Sequence, residues 1–278
     1  MEAVNREKFE FFKGYISDVG REGVVVAFSG GVDSSTLAAV SRMVLGEKVV
    51  AAIAQSPIHV SEELFVAKRV AAEIGIPLYI VQTNELLNSA FSDNPENRCY
   101  FCKKELIVNL KQLADQLGFK VVFEGTNYGD LSGHRPGFRA VQEFFDVYSP
   151  WVVNKFDKAE IRQLAKYLGL SVYDKPSLAC LASRISFNQK ITREKLVRIG
   201  VAEQAIRTIS GVAQVRVRDH DGLARIEISK AEFSFFCKPV VWDHVVDELL
   251  KLGFKYVTFD LQGYISGSML NTVDRGSL

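Results

Sequence analysis

The stretch that decides the fold of this chain reads Val24-Val25-Val26-Ala27-Phe28-Ser29-Gly30-Gly31-Val32-Asp33-Ser34-Ser35-Thr36. Its first part, Val24 to Phe28, is a run of β-branched and aromatic residues that predicts a buried strand. Ser29-Gly30-Gly31 breaks that run sharply. Asp33 to Thr36 then supplies helix-capping side chains ahead of an apolar segment. The pattern therefore predicts a strand, a glycine turn and a helix in direct succession.

This predicted unit is suited to holding phosphate. Paired glycines let backbone amides approach a ligand with no Cβ in the way, and the start of a helix adds a partial positive charge. The sequence contains no Gly-x-x-x-x-Gly-Lys-Ser/Thr, and the turn lacks the Gly-x-Gly-x-x-Gly spacing of dinucleotide folds. Residues 29–34 instead resemble the Ser-Gly-Gly-x-Asp-Ser signature of PP-loop ATP pyrophosphatases. The alternative is an ordinary strand-to-helix turn capped by Asp33.

The resemblance to this superfamily implies a specific use of ATP. ATP would be cut between its α- and β-phosphates, so that a substrate oxygen becomes adenylylated and pyrophosphate leaves. The amides of residues 30–35 and the hydroxyls of Ser34 and Ser35 would hold pyrophosphate, and Asp33 would help to place Mg²⁺. The ATP-binding residues implied in this way are Ala27, Ser29, Gly30, Gly31, Asp33, Ser34, Ser35 and Gly125.

The composition is that of an ordinary globular protein. The chain has 278 residues, of which 47% are hydrophobic, and a formal net charge of +1. This charge gives no global field that would attract nucleic acid or an anionic membrane surface. No apolar run reaches the about 18 residues that a membrane span needs, and the N-terminal residues lack the apolar core of a signal peptide. We expect a cytoplasmic protein that binds neither nucleic acid nor membrane and could form a homo-oligomer.

Strand-like and helix-like segments alternate through the first two thirds of the chain. Strand-like runs at 49–54, 78–82 and 121–124 are separated by helical stretches. Such alternation predicts right-handed βαβ crossovers and an α/β fold with a Rossmann-like parallel sheet. Because ligands of such sheets bind beyond the carboxyl ends of the strands, residues 27–28 and the ends of the neighbouring strands should face one crevice.

The pattern changes near residue 188. Beyond it, alternating strands at 212–218 and 224–228 surround the turn 219–222, which predicts a compact α+β unit. We therefore predict a PP-loop domain over 1–188 and a smaller C-terminal α+β domain over 189–278 for substrate binding or oligomerisation. Arg216 and Arg218 should share one face of a strand, either as a solvated face or as a clamp for a substrate phosphate or carboxylate.

Four cysteines are too few for a disulfide framework, so their positions matter more. Cys99 and Cys102 form a Cys-x-x-Cys pair that could be a zinc half-site, a redox pair or two unrelated thiols. Cys180 is followed by Arg184, a cation that would favour a thiolate if the two were close; a buried inert thiol is the alternative. Cys237, among aromatic residues, is expected to be a core residue.

Further segments extend the resemblance over about residues 5 to 270. They are Glu-Gly-Thr-Asn at 124–127, Arg-Pro-Gly at 135–137, the segment from Cys180 to Arg184, and Gly-Tyr-Ile-Ser-Gly-Ser-Met at 263–269. Taken with Cys99 and Cys102, these segments resemble the LarE family of ATP-dependent sulfur transferases, which build the nickel-pincer cofactor of lactate racemase. One departure is Gly129 before Asp130, where the family often has paired acids.

This second resemblance implies the reaction and its residues. A carboxylate of pyridinium-3,5-biscarboxylic acid mononucleotide would be adenylylated and then converted to a thiocarboxylate. Family members with a lone cysteine at the position of Cys180 give up its sulfur, whereas Cys99, Cys102 and Cys180 resemble the type that holds a [4Fe-4S] cluster with one open iron. Asp33 and Cys180 are implied to be catalytic.

The same resemblance implies that Arg184, Arg216 and Arg218 bind the substrate. Two other functions stay open at this point. One is thiolation of tRNA by a related PP-loop fold, against which the net charge of +1 argues. The other is a nucleotide-binding module without catalysis, in which the three thiolates and one further ligand hold a structural zinc.

Overall fold

The structure is a computed structural model that describes residues 5–59, 61–132, 135–176, 179–265 and 268–269. The described helices and strands are, in chain order, α1 (Arg6–Gly20), β1 (Val24–Ala27), α2 (Val32–Leu45), β2 (Val49–Gln55), α3 (Ser61–Ile74), β3 (Leu78–Gln82), α4 (Ser89–Ser92), α5 (Arg98–Leu117), β4 (Val121–Phe123), α6 (Pro136–Val141), β5 (Val147–Tyr148), α7 (Pro150–Val153), α8 (Lys158–Tyr167), α9 (Arg193–Ser210), β6 (Val215–His220), β7 (Leu223–Ile228), α10 (Phe233–Phe236), α11 (Pro239–Lys251) and β8 (Tyr256–Phe259). Within these residues, no helix is long and apolar enough to cross a membrane.

The chain divides into two compact units. The first comprises Met1–Glu85 and Asn97–Leu178, and the second comprises Leu86–Glu96 and Ala179–Leu278. The segment from residue 86 to 96 is tied to the second unit by Asn94, whose side-chain amide donates to the backbone carbonyls of Ser186 (2.7 Å) and Gln189 (3.0 Å). The division predicted near residue 188 remains our proposal for the functional domains.

The first unit is built on a five-stranded parallel sheet in the order β3-β2-β1-β4-β5. Its central strand, β1, alternates between two hydrophobic cores. Val24 and Val26 face the core that contains Phe12 of α1, whereas Val25 faces the core that contains Leu110 of α5. Helices thus cover both faces, which is why the residues of β1 form an unbroken apolar run. The predicted α/β fold with a parallel sheet is confirmed.

Local side-chain interactions fix the first residues of α2 and of α8. Trp151 stacks on Phe12, with ring centroids 4.4 Å apart, and its indole nitrogen donates to the carbonyl of Asp33 at 3.1 Å. Helix α8 begins with a capping box, because the Asp157 carboxylate accepts from the amide of Glu160 (2.8 Å) while the Glu160 carboxylate accepts from that of Asp157 (2.9 Å). Both sets of interactions serve residues that reach the functional site described below.

The second unit contains a three-stranded sheet in the order β6-β7-β8. Strands β6 and β7 are antiparallel and are joined by the left-handed residues Asp221 (φ 55°) and Gly222 (φ 95°), as a tight hairpin requires. Helices α9 and α11 pack on the sheet and close its core. Phe236 lies in that core, but the adjacent Cys237 is exposed, so its predicted core position is wrong.

Candidate active site

A cavity of about 490 Å³ lies at the carboxyl ends of β1, β2 and β4 in the first unit. Ser29, Gly31 and Ser34 line it from the glycine turn. Gln55 reaches it from the end of β2, and Gly125 from the loop after β4. The strand ends that the sequence predicted to face one crevice therefore do line one cavity, because neighbouring parallel strands end at the same edge of the sheet.

The glycines of this wall are required by backbone geometry. Gly30 has a φ of +66°, and a Cβ on it would lie 2.9 Å from the Cα of Ala67 in α3. Gly31 is the N-cap of α2 and supplies no side-chain cap, so the predicted capping by Asp33 to Thr36 is wrong, because these residues lie inside the helix. A Cβ on Gly125 would lie 3.3 Å from the backbone nitrogen of Ser34. The first amides of α2 are thus left without a capping side chain beside a cavity, an arrangement that suits a phosphate group.

The two serines predicted to hold pyrophosphate lie in different surroundings. The Ser34 hydroxyl accepts from the backbone amide of Ser29 (3.1 Å) and lies 3.0 Å from the Ser29 hydroxyl, so it closes the turn from inside the cavity wall. Ser35 is fully buried, and its hydroxyl has no hydrogen-bond partner among the described residues. The pyrophosphate-binding role of both hydroxyls, and of Ala27 in the cavity wall, stays a prediction.

Asp33 lies in the cavity wall at the start of α2. Its carboxylate forms an ion pair with Lys158, the first residue of α8. Burial raises the pKa of Asp33, and the hydrogen bond and charge of Lys158 offset this only in part. Its second oxygen, Oδ1, is buried and has no hydrogen-bond partner among the described residues. A buried carboxylate oxygen aimed at no protein donor fits a hard cation such as Mg²⁺.

A second ion pair also lines the cavity. Lys103 of α5 lies with its Nζ 2.8 Å from Oε2 of Glu124, which is 1% exposed. Burial alone would raise the pKa of Glu124, but the charge and hydrogen bond of Lys103 and the hydroxyls of Ser149 and Thr126 together lower it. Glu124 is therefore an ionised group that holds Lys103 at the cavity.

The Cys-x-x-Cys pair begins α5, directly before Lys103. Cys99 is exposed, and Cys102 is partly buried, with its sulfur 3.9 Å from Oε1 of Glu85. Residues three apart on a helix lie on the same face, so the two thiols are neighbours. Cys180 belongs to the second unit. Within the residues that the structure describes, no three His, Cys, Asp or Glu side chains are grouped as a metal site, so the convergence of the three thiols stays a prediction.

Cys180 lies at the start of a short 3-10 helix, Leu181–Arg184, that Arg184 holds in shape. The Arg184 guanidinium donates to the carbonyl of Cys180 at 2.8 Å and, with two of its nitrogens, to the carboxylate of Glu203 at 3.0 and 3.3 Å. Arg184 is only 2% exposed. Its hydrogen bonds go to the carbonyls of Ala179 and Cys180, the hydroxyl of Ser183 and the carboxylate of Glu203, so its predicted influence on the Cys180 thiol stays a prediction.

Arg216 and Arg218 lie two residues apart on β6 and are both buried, so the alternative of a solvated face is wrong. Arg218 forms an ion pair with the buried carboxylate of Glu227 at 2.7 Å. Arg216 donates to the carbonyl of Val215 at 2.8 Å and lies 5.3 Å from the ring centre of Tyr264. Burial and the charge of Arg184 lower the pKa of Arg216. No carboxylate of the described residues lies at ion-pair distance from Arg216, which makes it the arginine best placed to take an anion.

Sequence reasoning missed the lysines of the site. No sequence motif marks Lys158 or Lys103, yet they form ion pairs with Asp33 and Glu124 respectively. Lys158 is 125 residues from Asp33 in the chain, so no local pattern links the two. The uncapped glycine turn at the carboxyl end of a parallel sheet, with the half-buried Asp33 beside it, is typical of PP-loop proteins that use ATP.

Comparison with known proteins supports the assignment to the PP-loop class and identifies a family within it. The family model described as NAD synthase matches residues 4–111. The pyridinium-3,5-bisthiocarboxylic acid mononucleotide synthase of Lactiplantibacillus plantarum is 33% identical over 256 residues, which cover 92% of this chain and 91% of that protein. The uncharacterized protein slr1717 of Synechocystis sp. is 43% identical over 262 residues, with 94% and 96% covered. The uncharacterized protein MJ0830 of Methanocaldococcus jannaschii is 30% identical over 244 residues, with 87% and 91% covered.

These relatives span nearly the whole chain, so the resemblance extends through both units. The chain belongs to the LarE family of PP-loop proteins, the family of the Lactiplantibacillus plantarum synthase. It is accordingly an enzyme, an ATP-using sulfurtransferase.

Proposed function

We propose that this enzyme uses ATP to adenylylate a carboxylate of pyridinium-3,5-biscarboxylic acid mononucleotide and then converts that group to a thiocarboxylate, as a step in building a nickel-pincer cofactor. The name of the relative from Lactiplantibacillus plantarum, a pyridinium-3,5-bisthiocarboxylic acid mononucleotide synthase, supports this substrate. One observation carries the proposal. Lys103, the residue after Cys102, lines the same cavity as the glycine turn, so a thiol pair begins next to the predicted site of ATP cleavage.

In the first step, a substrate carboxylate oxygen attacks the α-phosphorus of ATP, and the bond from that phosphorus to pyrophosphate breaks. The uncapped amides at the start of α2 would hold the leaving pyrophosphate. Oδ1 of Asp33 would hold Mg²⁺, which neutralises charge on the phosphates, while Lys158 orients the carboxylate through Oδ2. Gly125 lets the loop after β4 approach the backbone of Ser34 closely.

In the second step, sulfur forms a bond to the activated carbonyl carbon, and the bond from that carbon to AMP breaks. Cys99, Cys102 and Cys180 would hold a [4Fe-4S] cluster, which would supply the sulfide when bound. Cys99 and Cys102 fit this role because they lie on one face at the first turn of α5. Cys180 is the third ligand that we propose.

We assign the mononucleotide phosphate to the C-terminal domain of residues 189–278. Arg216 is our choice for its direct ligand, because this guanidinium is buried without a carboxylate partner among the described residues. Arg184 and Arg218 are engaged by Glu203 and Glu227, so we expect them to support Arg216 and the Cys180 loop. Because each of these two arginines is already paired with a buried carboxylate, its positive charge is largely compensated and it attracts an anion less strongly.

The cluster is tested by metal analysis after anaerobic purification. We expect about four iron atoms and as many acid-labile sulfides per chain, with a matching absorption spectrum. Cys102→Ser and Cys180→Ala should both lose most of the iron. Cys237→Ser is the matched control, because Cys237 is an exposed cysteine with no proposed role. Stoichiometric zinc without iron would instead support a structural zinc, and iron that survives Cys180→Ala would contradict the three-thiol cluster.

The source of the sulfur is tested by the mass of the protein after turnover. If Cys180 only ligates the cluster, we expect the mass of the protein to stay unchanged through repeated turnovers in the presence of added sulfide. A chain lighter by one H₂S after a single turnover would show that Cys180 gives up its own sulfur, and would overturn the cluster-bound sulfide as the donor.

A further inference from the structure

Lys175 is a cation at the phosphate-binding turn that the reaction above leaves without a role. Its Nζ donates to the carbonyl of Gly30 at 3.2 Å. Burial lowers the pKa of Lys175, while Glu63 and Arg69 of α3 act on it in opposite directions. No carboxylate among the described residues lies at ion-pair distance from this ammonium. A single carbonyl uses only one of its three N–H donors, so two donors remain at the edge of the turn.

Arg162 of α8 determines where Lys175 lies. Two nitrogens of its guanidinium donate to backbone carbonyls of the following loop, one to Tyr173 at 2.7 Å and one to Lys175 at 2.8 Å. Because a planar guanidinium binds both carbonyls in a fixed fork, it restrains the backbone of this loop. The restraint holds the Lys175 side chain within reach of Gly30.

The same helix also holds Asp33. Lys158, four residues before Arg162 and therefore on the same face of α8, forms the ion pair with the Asp33 carboxylate. Helix α8 thus supports the phosphate-binding turn in two ways. Lys158 contacts the turn directly, whereas Arg162 acts indirectly by restraining the loop that carries Lys175. Both supports end at the glycine turn, Asp33 at its helical side and Gly30 at its centre.

We infer that Lys175 binds the β- and γ-phosphates of ATP and the pyrophosphate that leaves, and that Arg162 is a positioning residue that keeps Lys175 there. This inference rests on the proposed adenylylation and adds a phosphate ligand and its support to it. A lysine ammonium is a suitable ligand for phosphate oxygens, since each contact is a charge-assisted hydrogen bond. A neighbouring carbonyl keeps the ammonium in place without cancelling its charge.

The test compares the binding of inorganic pyrophosphate, ATP and AMP by titration calorimetry with Mg²⁺ present. Lys175→Met should weaken pyrophosphate and ATP binding by about tenfold or more, equivalent to about 1.4 kcal/mol, and leave AMP binding unchanged. Arg162→Gln should show the same selective loss, and Lys175→Arg should restore most of it. Since Arg162 acts through Lys175, the double variant should lose little more than Lys175→Met alone. Lys68→Gln, which removes an exposed cation from α3, is the control and should bind all three ligands normally.

Three outcomes would overturn the inference while leaving adenylylation intact. The first is normal pyrophosphate binding by Lys175→Met. The second is an equal loss of AMP and pyrophosphate binding in Arg162→Gln, which would mark Arg162 as a general structural residue. The third is full additivity of the two substitutions. Failure of the unmodified enzyme to bind ATP would instead count against the proposed function itself. If Arg162→Gln does not fold, the Lys175 variants decide the matter alone.

Discussion

Two regions of this molecule have predicted anion-binding roles, and they are built in opposite ways. The glycine turn of the first unit offers backbone amides, with Lys158 and Lys175 brought in from a later helix and loop. The strand β6 of the second unit offers buried arginine side chains. An amide cradle needs little beyond the right backbone angles, whereas a buried guanidinium must be compensated by other buried groups.

The compensation in the second unit comes from two glutamates. Glu203 of α9 binds Arg184, and Glu227 of β7 binds Arg218, both within the core of that unit. Arg216, which lies opposite Glu227 in the strand register, forms no recorded ion pair with it and packs near Tyr264 instead. The comparison teaches that a buried arginine is not automatically a ligand site. The one without a carboxylate partner among the described residues is the candidate.

The largest expected effect is the loss of stability when a buried arginine loses its glutamate partner. Glu227→Ala leaves the buried guanidinium of Arg218 without its partner and should lower the free energy of unfolding by about 3 to 5 kcal/mol. Denaturant unfolding of the purified enzyme measures this loss. Glu248→Ala is the control, because its ion pair with Lys251 is exposed and its removal should change the free energy of unfolding little. Equal losses in the two variants would remove the distinction between the buried and the exposed pair.

The next largest effect is a loss of activity when the backbone of the glycine turn is changed at Gly30. Gly30→Ala should reduce ATP-dependent pyrophosphate release by about a hundredfold or more, because the φ of +66° disfavours a Cβ and that Cβ would lie 2.9 Å from the Cα of Ala67. A coupled assay of pyrophosphate release measures the rate. Gly14→Ala, in α1, is the matched control, since a Cβ there meets nothing within 4 Å and should leave activity intact. Near-normal release by Gly30→Ala would show that the turn does not need its observed shape.

A smaller effect tests the choice among the arginines. Arg216→Met should raise the KM for the pyridinium mononucleotide by about tenfold or more, as expected for one charge-assisted hydrogen bond, and leave the KM for ATP unchanged. The fold should persist, because no carboxylate among the described residues is left unpaired. Steady-state kinetics measures both constants, with the exposed Arg193→Met as the control. If KM for ATP rose instead, the arginine would belong to the nucleotide site.

The smallest effect is a pH dependence in the cavity wall. The folded state lowers the pKa of Glu124 from 4.5, so its ionisation stabilises the fold above about pH 4.5 and this contribution is lost as the pH falls through the lowered pKa. Glu124→Gln does not titrate. The difference in the free energy of unfolding between the enzyme and this variant should therefore shrink below pH 4.5. A difference that stays constant across that range would mean that Glu124 is not held as a carboxylate.

Much of the fold follows from local sequence patterns. The four runs predicted as strands in the first unit and the hairpin predicted in the second do form strands, apart from shifts at their ends, because apolar periodicity and turn residues act over a few positions. The two-residue strand β5 and the attachment of residues 86–96 to the second unit were not foreseen. The first is too short to show a period, and the second depends on the contacts of Asn94 with residues about 90 positions later in the chain.

The same division applies to the site. From the order of its residues alone, the chain shows a strand, a glycine turn and the start of a helix, since backbone angles depend on neighbours. Only the structure shows that this helix begins at Gly31 without a side-chain cap. Ion pairs depend on side chains that folding brings together from far along the chain. Folding therefore determined that Lys158 binds Asp33, that Arg162 supports Lys175, and that Glu203 and Glu227 compensate Arg184 and Arg218 while Arg216 lacks such a partner among the described residues.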